Sequence, residues 1–228
     1  MLGQTTALRP INPGDKTELE RLREIDRATW AIMVGELRDD ESLKWFAGHG
    51  SEEGSVIFGI DGLPGVVSEA EAGKLQGWVQ FCPDEAHRVE GLVKLGILEE
   101  ADLPEVRVME ISYAKWPGAV SKQIAKGVRQ ACLKLAAEAK IAEKSARGLI
   151  ITGYVDPANM ASIKVLEACG FEKRGQLTYK EGAEVLDDVY ILNGEKLKAK
   201  VDGSAGKLRW GGRIRNRLGL GGRWPRER

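Results

Sequence analysis

The sequence predicts an α/β chain of the α+β kind, a mixed sheet with helices on its faces followed by a basic tail. Three observations lead there. Short stretches rich in β-branched and aromatic residues alternate with amphipathic stretches of helical period. A long helical stretch, Ser121 to about Lys144, feeds a nearly continuous apolar run, Gly148 to Val155, the pattern of a crossover helix delivering a buried strand. The last two strand-like stretches face each other across Glu181-Gly182, as a hairpin requires.

Taken in order, Thr6 to Arg9 reads as a short strand ended by Pro10. Asp15, with Glu18 three residues on, forms a capping box that opens a helix carrying Leu19, Leu22, Ile25 and Thr29/Trp30 at helical spacing. A second helix is expected over Asp40 to Phe46, with Leu43, Trp45 and Phe46 inward, before the break at Gly48-His49-Gly50. Ser55 to Ile60 and Leu75 to Cys82 read as antiparallel strands joined by an enlarged loop with Gly62, Pro64 and Gly65. Between Pro83 and Glu105 the apolar residues suit a short helix or a hairpin, and two glycines weaken the helix. Val106 to Tyr113 is the next strand, turning at Trp116-Pro117-Gly118 into the long helix, whose apolar stripe is Ile124, Val128, Cys132, Leu135 and Ala139. After the strand ending at Val155, Asp156-Pro157 is expected to cap a helix running to Ala168, and Gly170 stands where a left-handed residue ends it. Phe171 to Tyr179 and Val185 to Leu192 form the closing hairpin.

With 228 residues, 43% hydrophobic and 30% charged, the chain suits one domain with a full core. Lysine and arginine total 34, as do aspartate and glutamate, so overall charge points to neither nucleic acid nor membrane. The balance conceals an asymmetry, because residues 194–228 carry 11 basic against three acidic side chains, a net of +8, leaving −8 on residues 1–193. Cys82, Cys132 and Cys169 lack metal-type spacing and only His49 and His87 stand beside them, so core packing in a reducing compartment is the reading and no metal is expected. The N-terminus lacks a basic start followed by an apolar stretch, and no apolar run is long enough to span a bilayer. A cytoplasmic protein without a membrane partner is the expectation.

The run Asp156-Pro-Ala-Asn-Met-Ala-Ser-Ile-Lys-Val-Leu-Glu-Ala-Cys-Gly-Phe171 resembles the second acetyl-CoA motif of the GNAT acetyltransferases, Asp-Pro-x-Asn-x-x-Ser-x-x-(Val/Leu)-x-Glu-x-x-Gly-Phe. Within that family it is most similar to the branch that includes the ribosomal-protein N-terminal acetyltransferases, as are Phe171-Glu-x-x-Gly175 and Asp188-Val-Tyr-Ile-Leu192. The resemblance covers about Thr6 to Asn193. It implies the GNAT fold, a central mixed, mostly antiparallel sheet of about seven strands with helices on both faces, over residues 1–193. It also implies acetyl-CoA as co-substrate and a primary amine, on a protein N-terminus or a small molecule, as acceptor.

The family's first motif, (Gln/Arg)-x-x-Gly-x-(Gly/Ala), matches less well. Its best register is Val120-Ser121-Lys122-Gln123-Ile124-Ala125, where only Ala125 agrees. Such a loop binds pyrophosphate through backbone N–H groups and a helix N-terminus, so a non-glycine residue is tolerated if its φ is negative and its side chain points away. Lys122 adds charge. The departure leaves a second reading open, a degenerate GNAT domain acting as an acyl-CoA-binding or ribosome- or RNA-associated interaction module.

By resemblance, the acetyl carbonyl meets a backbone N–H of the fourth strand at Ile111, Ser112 and Tyr113, and the pantetheine arm lies along that strand, held by the Asn159 amide. An ordinary first-turn role is the alternative for Asn159. Glu110 lies where many members keep a glutamate that deprotonates the amine through water; burial among Val106, Val108, Met109 and Ile111 would raise its pKa, and a structural ion pair with lysine or arginine is the alternative. The tyrosine by which many relatives protonate the thiolate is replaced by Leu166. Ser162 is the substitute that the branch suggests, a hydroxyl bonding backbone or cofactor is its other reading, and Tyr113 and Tyr154 are further candidates. Glu99, Glu100, Asp102 and Glu105 offer an acidic approach for a cationic amine or a solvated surface.

The tail, with its Arg-rich run from Arg209 to Arg228 interleaved with Trp210 and Trp224, suits contact with RNA or the ribosome. Its affinity for RNA would then fall with added salt. The rival is an amphipathic helix through Leu208, Trp210, Ile214 and Leu218 packed on the acidic domain or on the partner of a homodimer.

Overall fold

A computed structural model describes residues 8–29, 38–49, 54–143, 148–178 and 186–193. Its elements are β1 (Leu8–Arg9), α1 (Lys16–Ala28), α2 (Asp40–His49), β2 (Val56–Asp61), β3 (Leu75–Pro83), α3 (Ala86–Lys94), β4 (Arg107–Lys115), α4 (Ser121–Glu143), β5 (Leu149–Val155), α5 (Met160–Cys169), β6 (Glu172–Thr178) and β7 (Leu186–Asn193). The seven strands lie in the order β1-β2-β3-β4-β5-β7-β6. Every neighbouring pair is antiparallel except β4 and β5, which are joined by the crossover through α4. The predicted sheet, mixed and mostly antiparallel with helices on both faces, is the one found.

Period-2 alternation sends neighbouring residues of β4 and β5 into different cores. Met109, Ile111, Ile151 and Val155 pack under α4 and α5 with Val128, Cys132, Ile163 and Leu166. On the other face, Trp78 and Ala114 meet Leu22, Ile25, Leu43 and Phe46 of α1 and α2. Further along that face, Val108, Val189 and Ile191 meet Leu92 of α3. The three cysteines are buried and none is in a disulfide.

Local details correct or complete the sequence reading. Trp45, expected inward, is 46% exposed, because the helical turn that buries Leu43, Phe46 and Ala47 rotates position 45 outward. Between Pro83 and Glu105, where the sequence suits a short helix or a hairpin, the structure has the helix α3; its Gly91 packs closely on β6, a Cβ there standing 2.8 Å from the methyl groups of Leu177. The last α-helix begins later than expected, with Asn159 as its cap; Asp156 instead makes a local turn by accepting from the Ala158 N–H at 2.8 Å. Half of the Asp15 capping box is present: Asp15 accepts from the N–H groups of Thr17 and Glu18, while the Glu18 carboxylate accepts from Asn12. Gly170 closes α5 at φ 94°, the left-handed value expected of it. The basic tail and the tip of the closing hairpin lie outside the described residues.

Candidate functional site

The β4–β5 ladder runs from Arg107↔Leu149 to Glu110↔Thr152 and ends there, although both strands continue. Beyond that point β5 stays paired with β7 and β4 with β3. Ile111–Lys115 therefore have no strand on their β5 side among the described residues, and a wedge opens toward the C-terminal ends of both strands. Ile111, Ser112 and Tyr113, the predicted carbonyl-binding stretch, form one wall. Gly153 forms the other, where a Cβ would lie 3.1 Å from Leu166 of α5 and 3.5 Å from Ile111.

Two helices start at the mouth of this wedge. α4 begins at Ser121, and its first backbone acceptor is the Val120 carbonyl, which takes the Gln123 N–H at 2.9 Å. Val120 has no side-chain oxygen to cap the turn, and the N–H groups at the start of a helix have no intrahelical partner. Val120, Ser121 and Lys122 are exposed. Gln123, at the motif's glycine position, is helical and 2% exposed: its amide donates to the Asp61 carbonyl and accepts from the Leu63 N–H at 3.4 Å. Its side chain points away from the exposed turn and ties α4 to the β2–β3 connection. Ile124 is core, and the Ala125 carbonyl accepts from the Cys169 thiol at 3.5 Å. Just upstream, the Trp116 indole donates to Glu24 and carries the Arg21 guanidinium 4.6 Å above its ring, fixing the approach to α4 from α1.

α5 begins differently. Asn159, an exposed residue, accepts from the Ser162 N–H through Oδ1 at 3.1 Å, so the ordinary capping role is present, and this bond leaves the NH2 donors of the amide unused. The Tyr113 hydroxyl crosses from β4 to donate to the Ser162 carbonyl at 3.0 Å. Burial, the largest influence, raises the Tyr113 pKa, so this phenol keeps its proton. Leu166 is 1% exposed in the core and offers no acid.

Glu110 sits at the base of the wedge on the opposite face, 7% exposed, its Oε2 accepting from Arg88 of α3 at 2.9 Å. The ion pair named as the alternative is thus present. Arg88 Nε donates to Asp84 Oδ1 at 2.7 Å, and Asp84 Oδ2 accepts from the Thr152 and Tyr154 hydroxyls, each at 2.7 Å. Burial first, then the Asp84 charge, raises the Tyr154 pKa and keeps this hydroxyl a donor. Asp84, Arg88 and Thr152 are missing from the sequence reading; the one signal for them was the i,i+4 spacing of Asp84 and Arg88. Glu99, Glu100, Asp102 and Glu105 are exposed around the turn that precedes β4. Among the described residues no cluster of His, Cys, Asp or Glu could hold a metal, and no helix is long and apolar enough to cross a membrane.

Comparison with known proteins adds a family. The model of the acetyltransferase (GNAT) domain matches residues 6–172. No curated protein matches the chain. Among solved structures, Arabidopsis thaliana NAA60 in complex with acetyl-CoA superimposes with a TM-score of 0.54 at 17% identity, over 82% of this chain and 97% of that one. An N-acetyltransferase from Staphylococcus aureus Mu50 gives 0.52 at 20% identity, over 82% and 97%. The aminoglycoside acetyltransferase AAC(6')-Ib with coenzyme A gives 0.51 at 18% identity, over 86% and 98%. At these identities the likeness is one of fold.

Proposed function

Because the chain belongs to the GNAT acetyltransferase family, we propose that it moves an acetyl group from acetyl-CoA to a primary amine by direct attack in a ternary complex. The observation that carries this reading is the wedge between β4 and β5 with an exposed, uncapped helix start at its mouth. Backbone N–H groups of residues 120–122, the helix dipole and Lys122 suit the two charges of a pyrophosphate. Gln123 supports a working loop, since its side chain turns inward, and disfavours the degenerate reading. The pantetheine arm takes the place of a missing strand along Ile111, Ser112 and Tyr113, and the Asn159 amide holds it.

Bound there, acetyl-CoA supplies an activated acyl group. The amine nitrogen bonds to the carbonyl carbon, the C–S bond breaks, and a backbone N–H of residues 111–113 stabilises the negative oxygen in between. The proton lost by the amine passes through water toward Glu110, and Ser162 or water returns one to the thiolate. A protein N-terminus and a small-molecule amine both remain as acceptors; the similar structures include NAA60 with a bisubstrate analogue and an aminoglycoside acetyltransferase.

The test is calorimetry with acetyl-CoA followed by transfer to an amine panel. Absence of binding at millimolar acetyl-CoA overturns the reading. Glu110→Gln is expected to lower kcat about 100-fold while changing acetyl-CoA affinity little, as removal of a proton acceptor does. Unchanged turnover across pH removes Glu110 from the chemistry.

A further inference from the structure

We propose that Asp84 and Arg88 are positioning residues that set the opening of the wedge and hold Glu110 at its base, an inference that rests on the acetyl-transfer reading of this site. Asp84 follows β3 directly. Its backbone N–H donates to the Val108 carbonyl at 3.1 Å, anchoring it to β4. Its carboxylate then reaches across β4 to the Thr152 and Tyr154 hydroxyls of β5. Thr152 is the last β5 residue paired with β4, and Tyr154 lies two residues into the opened part. Asp84 thus grips β5 on both sides of the point where the strands separate.

Arg88 completes the device. It donates to Asp84 and to Glu110, lies 3.5 Å from Glu85, and stacks 5.0 Å from the Tyr154 ring. The side chains of Asp84 and Arg88 are 0% and 2% exposed. A buried ion pair is a poor means of stabilisation, because apolar residues of the same volume serve as well or better. Here the charges sit where the parallel ladder ends, fix the carboxylate assigned to the amine proton, and join three elements, α3, β4 and β5, whose relative placement decides where a thioester meets an amine. A displacement of about 1 Å at such a point costs on the order of 100-fold in rate.

The experiment measures kcat, KM for the amine, acetyl-CoA affinity and thermal unfolding of the full chain for the wild type, Arg88→Met, Arg88→Lys and Tyr154→Phe. Arg88→Met is expected to lower kcat about 100-fold with acetyl-CoA affinity within about threefold, and Arg88→Lys to recover part of the loss. A folded Arg88→Met with wild-type kcat overturns the proposal. So does a loss confined to KM or to acetyl-CoA affinity. Should Arg88→Met not fold, Tyr154→Phe decides: a several-fold lower kcat in the folded variant with acetyl-CoA affinity within about threefold supports the grip on β5, and an unchanged kcat overturns it. A wild type that binds no acetyl-CoA sinks the acetyl-transfer reading and this inference together; a competent wild type with unaffected variants sinks this inference alone.

Discussion

The two helices that start at the mouth of the wedge solve the same problem in opposite ways. α5 caps itself, with Asn159 taking the Ser162 N–H, and ends on a left-handed glycine. α4 has valine at the capping position, exposed residues in its first turn and an inward-facing glutamine where glycine is usual in the motif. A self-sufficient helix start has little left to offer a ligand; an unsatisfied one has donors and a positive dipole end to spare. The difference teaches that spare backbone donors need not coincide with the segment whose sequence motif is easiest to recognise.

Gln123→Gly tests this with the largest expected effect. It restores the family's residue but deletes the contacts to Asp61 and Leu63, leaving buried backbone groups unpaired and adding a helical glycine. Stability is expected to fall by about 2–3 kcal/mol in chemical denaturation, with no gain in acetyl-CoA affinity. A variant that binds more tightly at unchanged stability would show the glutamine to be a defect of the loop. Lys122→Glu probes the exposed side of the same turn. Reversing the charge is expected to weaken acetyl-CoA binding by about 2 kcal/mol, roughly 30-fold by calorimetry, while an acid in a first helical turn leaves stability equal or slightly higher. Equal affinities would move the pyrophosphate away from α4.

How far the sequence could be read follows the same division. The sheet, the crossover helix and Gly170 were legible because period, length and a left-handed position are local properties of the chain. Asn159 and Ser162 were legible as a motif, yet the capping bond between them was assigned to Asp156, since Asp-Pro and Asn both begin helices and only the backbone distinguishes them. Glu110 is legible as a buried carboxylate with two readings, and Arg88, 22 residues away, is not, because the sequence from Pro83 to Glu105 suits a helix or a hairpin and so fixes no face for it. Asp84 and Thr152 lie 68 residues apart; such a contact has no signature in spacing and exists only once the strands are ordered.

The smallest expected effect separates the two roles of Asn159. Asn159→Ala removes the oxygen that caps α5 and the amide proposed to hold the pantetheine arm, so stability is expected to fall by about 1 kcal/mol and acetyl-CoA affinity a few-fold. That variant alone does not divide the losses between the roles. Asn159→Asp does: the carboxylate still accepts from the Ser162 N–H and suits the helix dipole, but it has no N–H to donate and opposes an anionic ligand. Thermal unfolding of Asn159→Asp should therefore match the wild type while its acetyl-CoA affinity stays at or below that of Asn159→Ala. Recovery of both properties would reduce Asn159 to a cap and place the hold on the pantetheine arm with β4 alone.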